Sequence, residues 1–295
     1  MITQLIREDY IRHFLITLTM ACAYVTLVMK GDSYIPGALA LAYSLRQTGT
    51  KHDLVCMVTP DVTGIDALSE VFDHVIKVDY LTYKTWHWEQ PNKHAEAKYN
   101  SWMSVALTQF RCLGLVHYRK VFFLDADVLV HRNMDCVFKM RSPAGTFVVS
   151  GKAHGEAVHP REIEEITRRK GYVCVASSLL LSPGKAVYRD FLSYVEQLHR
   201  KYNGVIGEKG MKSGINEQII AWFYSEYMGY NWTNLSNSFQ HCRWVKPDAK
   251  FQPPFLHHYV EPRKPWEDPK RTEWWDVARK VVTDRNRRFF PRQGR

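Results

Sequence analysis

The run Val121-Phe-Phe-Leu-Asp125-Ala-Asp127-Val-Leu-Val130 sets two carboxylates one residue apart at the end of an apolar stretch. A strand that stops on charged residues leaves them at the carboxyl edge of its sheet, where open α/β sheets bind their ligands. Anionic groups this close repel each other unless a cation neutralises them. Hard carboxylate oxygens suit Mg²⁺ or Mn²⁺, ions that commonly take one or two carboxylates together with substrate phosphates. A pair of turn aspartates reads the same way, so the triplet alone leaves both readings open.

Two further segments carry chemistry. In Leu256-His-His258-Tyr-Val-Glu-Pro-Arg-Lys264-Pro-Trp266 a neutral imidazole can ligate Mn²⁺, and Lys264 offers a point charge to phosphate oxygens. A buried His pair beside a surface Lys is the structural alternative. In Ser213-Gly-Ile-Asn216-Glu217-Gln218-Ile-Ile220, Glu217 and Gln218 fall in the first turn of an apolar helix. There the helix dipole favours an ionised carboxylate, and a capping role is equally open.

These residues need a frame. Strand-like runs at Tyr24–Met29, Leu54–Val58, His74–Val78 and Lys120–Leu124 alternate with helical periodicity over Tyr34–Thr48, Ile65–Phe72 and Trp102–Leu115. Such alternation predicts right-handed parallel crossovers and a doubly wound α/β sheet. From Tyr80 to Tyr99 the pattern lapses, and so long a connection, holding Trp86 and Trp88, is usually functional. Further on, helices are expected over Arg161–Lys170, Ala186–Lys201 and from Asn216, with a buried strand at Ser178–Leu181. No internal repeat or linker divides the chain. The division expected is an extension at 1–22, one domain over 23–266, and a basic helix and tail at 267–295.

Of the 295 residues, 45% are apolar and 24% charged, which excludes wholesale disorder, collagen-like and coiled-coil chains. Six scattered cysteines without a CxxC pair argue for reduced thiols in the cytoplasm and against a Cys-based zinc site. Phe14–Met29 is apolar or Thr throughout, but its 16 residues fall short of a bilayer span and its second half reads as the first strand, so no transmembrane segment is expected. From Arg263 to the end, 11 Lys+Arg against 5 Asp+Glu carry +6 of the net +10. A field of that sign attracts phosphates, nucleic acid or anionic lipid. With Trp274, Trp275, Phe289 and Phe290 it also fits single-strand nucleic-acid binding, although that reading leaves Asp125, Asp127 and His258 without a purpose.

Taken together and in order, the segments resemble the glycogenin-like family 8 of retaining glycosyltransferases, including compact members carried by some large DNA viruses. The resemblance spans roughly residues 22–266. It is carried by Ala23-Tyr-Val-Thr-Leu-Val-Met-Lys-Gly-Asp-Ser-Tyr34, Phe123-Leu-Asp-Ala-Asp-Val-Leu-Val130, Asn216-Glu-Gln218 and His258 to Trp266. It implies a GT-A fold, a Rossmann-like, mostly parallel sheet flanked by helices. It also implies transfer of a hexose from a UDP-sugar, UDP-glucose or UDP-galactose, to a hydroxyl of a glycan or protein with retention of configuration. By the same resemblance Asp125, Asp127 and His258 hold Mn²⁺ (or Mg²⁺), while Thr26, Leu27, Tyr34, Asp125, Ala126 and Lys264 bind the donor. Glu217 and Gln218 serve catalysis, nucleic acid is not a partner, a homodimer is allowed, and the location is the cytoplasm, the host's if the chain is viral.

This chain departs from the family pattern at three places. The family's Lys in the helix before the metal motif is Gln109, its Gly between the terminal His and Lys is Glu261, and its Asn-Ser-Gly motif has no good match at Val175-Ala-Ser-Ser178. No catalytic Asn is therefore assigned. The Gln109 departure also leaves open a protein that binds sugar nucleotide without turning it over.

Overall fold

The computed structural model describes residues 21–89, 93–147, 151–243 and 245–290. Residues 1–20 of the extension and 291–295 of the tail lie outside the described residues, as does the first half of the apolar Phe14–Met29 stretch. In chain order the elements are β1 (Cys22–Val28), α1 (Ile35–Gln47), β2 (Asp53–Val58), α2 (Ile65–Leu68), β3 (His74–Lys77), α3 (Lys93–Met103), a 3₁₀ segment (Ala106–Gly114), β4 (Lys120–Leu124) and β5 (Val128–Val130). They continue through β6 (Ala144–Thr146), β7 (Ala157–Val158), α4 (Pro160–Arg168), β8 (Val175–Leu181), α5 (Lys185–Lys201), α6 (Ile215–Trp222), β9 (Trp232–Asn234), β10 (Leu256–His258) and α7 (Thr272–Val281).

One sheet runs β3-β2-β1-β4-β8-β6-β9-β7, and β5 and β10 form a separate pair. The half β3-β2-β1-β4 is wholly parallel, as the alternation of strands and helices requires. β8 then joins β4 antiparallel, with Leu124 opposite Ser178. Both faces of β1 are buried: Tyr24 and Val28 pack toward α1 and α7, and Ala23 and Val25 toward the 3₁₀ segment and α5. A strand covered on both faces reads as an unbroken apolar run, which is how this one reads.

Three elements differ from their periodicity, and of these the helix expected over Ile65–Phe72 stops at Leu68. The helix expected over Trp102–Leu115 is α-helical only to Met103 and then 3₁₀ from Ala106. Tyr83 N–H donates to the Ser104 carbonyl at 2.8 Å, so that carbonyl is drawn to a neighbouring segment where the helix breaks. The lapse expected as far as Tyr99 ends at Lys93, where α3 begins. Its Lys93-His-Ala-Glu-Ala-Lys start is rich in helix formers, and Lys93 pairs with Glu96 one turn on, a signal that apolar periodicity does not register.

The described part of the basic segment after Trp266 packs onto the core. Trp274 and Trp275 of α7 are buried against α1, Trp274 lies 5.8 Å from Trp266, and Phe290 closes over both indoles. Of the four aromatics that fitted a nucleic-acid surface, three are therefore core residues. Trp274→Ala should lower stability by about 3–5 kcal/mol, read as an early denaturant midpoint. A change of midpoint no larger than for a surface substitution would refute this packing.

Candidate active site

The β5–β10 pair assembles the site. β4 ends at Leu124, the chain passes through Asp125-Ala-Asp127, and β5 pairs antiparallel with β10 so that His258 lies opposite Val128. Tyr259 N–H donates to the Asp127 carbonyl at 3.0 Å and extends the ladder by one step. Two chain segments 131 residues apart thus place His258 Nε2 3.2 Å from Asp127 Oδ1 and 3.6 Å from Asp125 Oδ2. Behind this turn, Gly37 of α1 has no room for a side chain: a Cβ there would sit 2.4 Å from the Ala126 carbonyl and 2.5 Å from the Trp266 ring. That glycine lets α1 press on the turn from below.

Lys264 completes a buried charge cluster. Its ammonium donates to Asp127 Oδ2 at 2.7 Å and to the Tyr259 carbonyl at 2.9 Å, and the side chain is 7% exposed. Burial alone would raise the Asp127 carboxyl, but Lys264 and His258 outweigh it and hold the group well below the usual carboxylate range. Burial, then the neighbouring Asp127 charge, push Asp125 up to about 6, although its side chain opens to the cavity at 40% exposure. Lys264 is held strongly protonated, because Asp127 more than offsets the cost of burial.

The arrangement fits a divalent cation. Asp125, Asp127 and His258 offer three ligand atoms within 4.8 Å of one another, the one such group among the described residues. Asp127 Oδ1 is buried, with His258 Nε2 3.2 Å away but no hydrogen bond made, a state that a cation between them would relieve. Gln240 stands behind the imidazole, its Nε2 2.7 Å from His258 Nδ1 and 3.0 Å from Ser177 Oγ, while its Oε1 has no partner. Turned over, that amide would accept from Nδ1–H and leave the Nε2 lone pair facing the carboxylates, as a ligating histidine needs.

The cluster forms one wall of an 870 Å³ cavity. Leu27, Tyr34, Ala126 and Glu217 line it as well, whereas Thr26 and Gln218 do not. Side chains alternate along β1, so Thr26 is buried away from the cavity when Leu27 faces it. Gln218 clamps the loop before α6, accepting from Glu208 N–H at 2.9 Å and donating to the Ser213 carbonyl at 2.9 Å. The residue pair of α6 on the wall is Asn216 and Glu217, one position earlier than the expected Glu217 and Gln218.

Glu217 accepts from Tyr172 O–H at 2.7 Å and from Gly214 N–H at 2.8 Å, so it caps α6 and faces the cavity at once. Its charge differs from expectation. Burial pushes its carboxyl from 4.5 up to about 7, against the hydrogen bonds from Tyr172 and Gly214, so it is not fixed in the ionised form near neutrality. Between pH 4.5 and 7 the folded state therefore binds more protons than the unfolded one, and stability falls as pH rises through that window. Glu217→Gln should flatten this part of the pH–stability curve by about 1–3 kcal/mol, measured by chemical denaturation at both ends. Parallel curves for the two proteins would show that the site does not titrate there.

Comparison with known proteins agrees with this fold. No protein-family model matches the chain. It is 31% identical over 170 residues to R707, an uncharacterised protein of Acanthamoeba polyphaga mimivirus, across 57% of each chain. It is 38% identical over 119 residues to glycogenin-1 of Oryctolagus cuniculus, 40% of this chain and 34% of that one. It thus spans 57% and 34% of these two relatives. The crystal structure of galactosyltransferase LgtC, in complex with donor and acceptor sugar analogues, superposes with a TM-score of 0.58 at 14% identity, covering 90% of this chain and 99% of that one. The chain is similar in sequence to the glycogenin-like glycosyltransferases of family 8. Its fold is GT-A.

Against the family pattern the departures now have surroundings. Gln109 is buried, donates to the Ala176 carbonyl at 3.2 Å and accepts from Asn216 Nδ2 at 2.7 Å, so a neutral amide pair stands on the cavity wall. Glu261 pairs with Arg271 at 3.1 Å, with its other carboxylate oxygen buried and unpartnered. Sequence reasoning did not single out Lys98, Tyr99, Trp102, Tyr172 or Gln240, all of which line the cavity. The one available signal was the irregular stretch before Tyr99. No described helix is long and apolar enough to cross a membrane.

Proposed function

We propose that the protein transfers a hexose from UDP-glucose or UDP-galactose to a hydroxyl acceptor, with retention of anomeric configuration and with Mn²⁺ or Mg²⁺ as cofactor. The observation that carries this reading is the convergence of Asp125, Asp127 and His258, with Lys264 behind them, on the wall of one large cavity. Asp125, Asp127 and His258 would hold the metal, which supplies Lewis-acid stabilisation of the diphosphate leaving group. Leu27, Tyr34 and Ala126 bind the nucleotide. Lys264 meets a phosphate oxygen as negative charge develops there, when preorganised charge is most effective. Asn216 and Glu217 face the sugar and stabilise its oxocarbenium character, Asn216 through a neutral dipole and Glu217 through its ionised fraction. Six cysteines free of disulfides support a cytoplasmic setting.

The test is a panel of UDP-sugars incubated with the protein and Mn²⁺, with UDP release measured and the product anomer assigned by NMR. Metal-dependent release from one donor, abolished by a chelator, is the expected result. No binding of any UDP-sugar, together with nucleic-acid affinity that drops steeply with salt, would replace this reading with the nucleic-acid one.

A further inference from the structure

Four lysines line the cavity: Lys30, Lys98, Lys212 and Lys264. Lys264 is neutralised by Asp127. Lys30 reaches across to α3, its ammonium 2.7 Å from the Ser101 carbonyl, and Lys212 is exposed. Lys98 stands apart. It is half-buried on α3, its ammonium donates to the Pro262 carbonyl, and among the described residues no carboxylate lies within ion-pair distance of it. Next to it, Tyr99 O–H donates to the Val260 carbonyl at 2.9 Å, so α3 lies on the turn that joins His258 to Lys264.

We propose that Lys98 is a second cationic ligand for the donor diphosphate, exchanging the Pro262 carbonyl for a phosphate oxygen when a nucleoside diphosphate enters the cavity. The inference rests on the UDP-sugar reading above. A half-buried ammonium satisfied by one neutral carbonyl retains most of its charge for an incoming anion, and hydrogen bonds between ionised partners are about twice as strong as neutral ones. The charge count points the same way. A divalent cation is balanced by Asp125 and Asp127, Lys264 adds one positive charge, and a sugar-linked diphosphate brings two negative ones. One further cation completes neutrality, and Gln109, whose amide is already committed to Ala176 and Asn216, cannot supply it. Burial, then the repulsion of Lys264, depress the Lys98 ammonium below its ordinary value. Glu267 and Asp127 are the negative charges that act on it in return. When the sugar–phosphate bond breaks, the bonding pair stays on the phosphate oxygen, and Lys98 stabilises that added charge.

The experiment is calorimetric titration of UDP and of uridine into the full chain with Mn²⁺ present, for wild type, Lys98→Met and Lys98→Arg. Lys98→Met keeps the apolar stem, so it should weaken UDP by about tenfold or more and leave uridine unchanged. Lys98→Arg should restore most of the loss. Equal weakening of both ligands would make Lys98 only a clasp between α3 and the Pro262 turn, and wild-type UDP affinity in Lys98→Met would remove it from the site; either overturns the proposal while the UDP-sugar reading stands. Failure of the wild type to bind UDP overturns that reading and the proposal with it.

Discussion

Asp127→Ala should lower metal-dependent UDP release by about three orders of magnitude or more and, in the same variant, destabilise the fold by about 3–5 kcal/mol. The sequence alone suggests the first effect and a fold left intact. The buried pair predicts the second, because the substitution strands the buried Lys264 ammonium without a counter-charge. Breaking a buried pair from one side costs far more than the pair contributes, since the remaining ion keeps its desolvation penalty. Asp125→Asn separates the two effects. Its carboxyl opens to the cavity and is pushed up to about 6 by burial and by Asp127, so a neutral amide there relieves repulsion. That variant should lose turnover and metal affinity while melting no lower than wild type. Thermal shifts with and without Mn²⁺ check both, because a ligand that binds only the folded state raises its melting temperature. An Asp127→Ala protein that melts like wild type and still gains stability from Mn²⁺ would remove Asp127 from the metal site.

Lys264→Met should separate two ligands, weakening the nucleotide but not the metal. UDP and UDP-sugar affinity fall, and turnover drops by about 10²–10³-fold, the usual cost of deleting one preorganised charge at a developing anion. Uridine affinity is untouched, because uridine carries nothing for an ammonium to meet. Mn²⁺ affinity without nucleotide should rise or hold, since the ammonium that now occupies Asp127 Oδ2 at 2.7 Å is a cation competing for the same carboxylate. On the proposed reading, Lys264 is a rival of the metal before the nucleotide arrives and a partner of the phosphate afterwards. Titrating Mn²⁺ and UDP separately into the variant distinguishes this from a packing role, in which both affinities would fall together.

The parallel half of the sheet and the chemistry at its edge were legible in the sequence, because each is written locally. β1, β2, β3 and β4 are short apolar runs closed by turn residues, and Asp125-Ala-Asp127 follows its strand directly. The carboxylates must then stand at the ligand-binding edge whatever else the chain does. His258 and Lys264 were legible as candidate groups by residue type, but their place beside Asp127 only through resemblance to a known pattern. Nothing local brings residue 258 to residue 127; the antiparallel β5–β10 pairing does that, and the same pairing lets Lys264 fold back onto Asp127.

What the tertiary structure decided alone is direction and charge. Thr26 and Leu27 are neighbours on a strand apolar on both faces, so no pattern says which one meets the cavity. Asn216, Glu217 and Gln218 share a first helical turn, and only the packing of α6 turns the first two inward and the third onto its loop. Glu217 looked ionised because a helix dipole favours charge; burial, which no local sequence reports, outweighs that dipole. The basic C-terminal segment carries the positive charge that composition shows, yet Trp274 and Trp275 lie inside the core, because α1 leaves an apolar face that α7 covers. Local sequence determines which groups are present and which backbone each prefers, whereas burial and long-range pairing determine what each group faces and hence its charge.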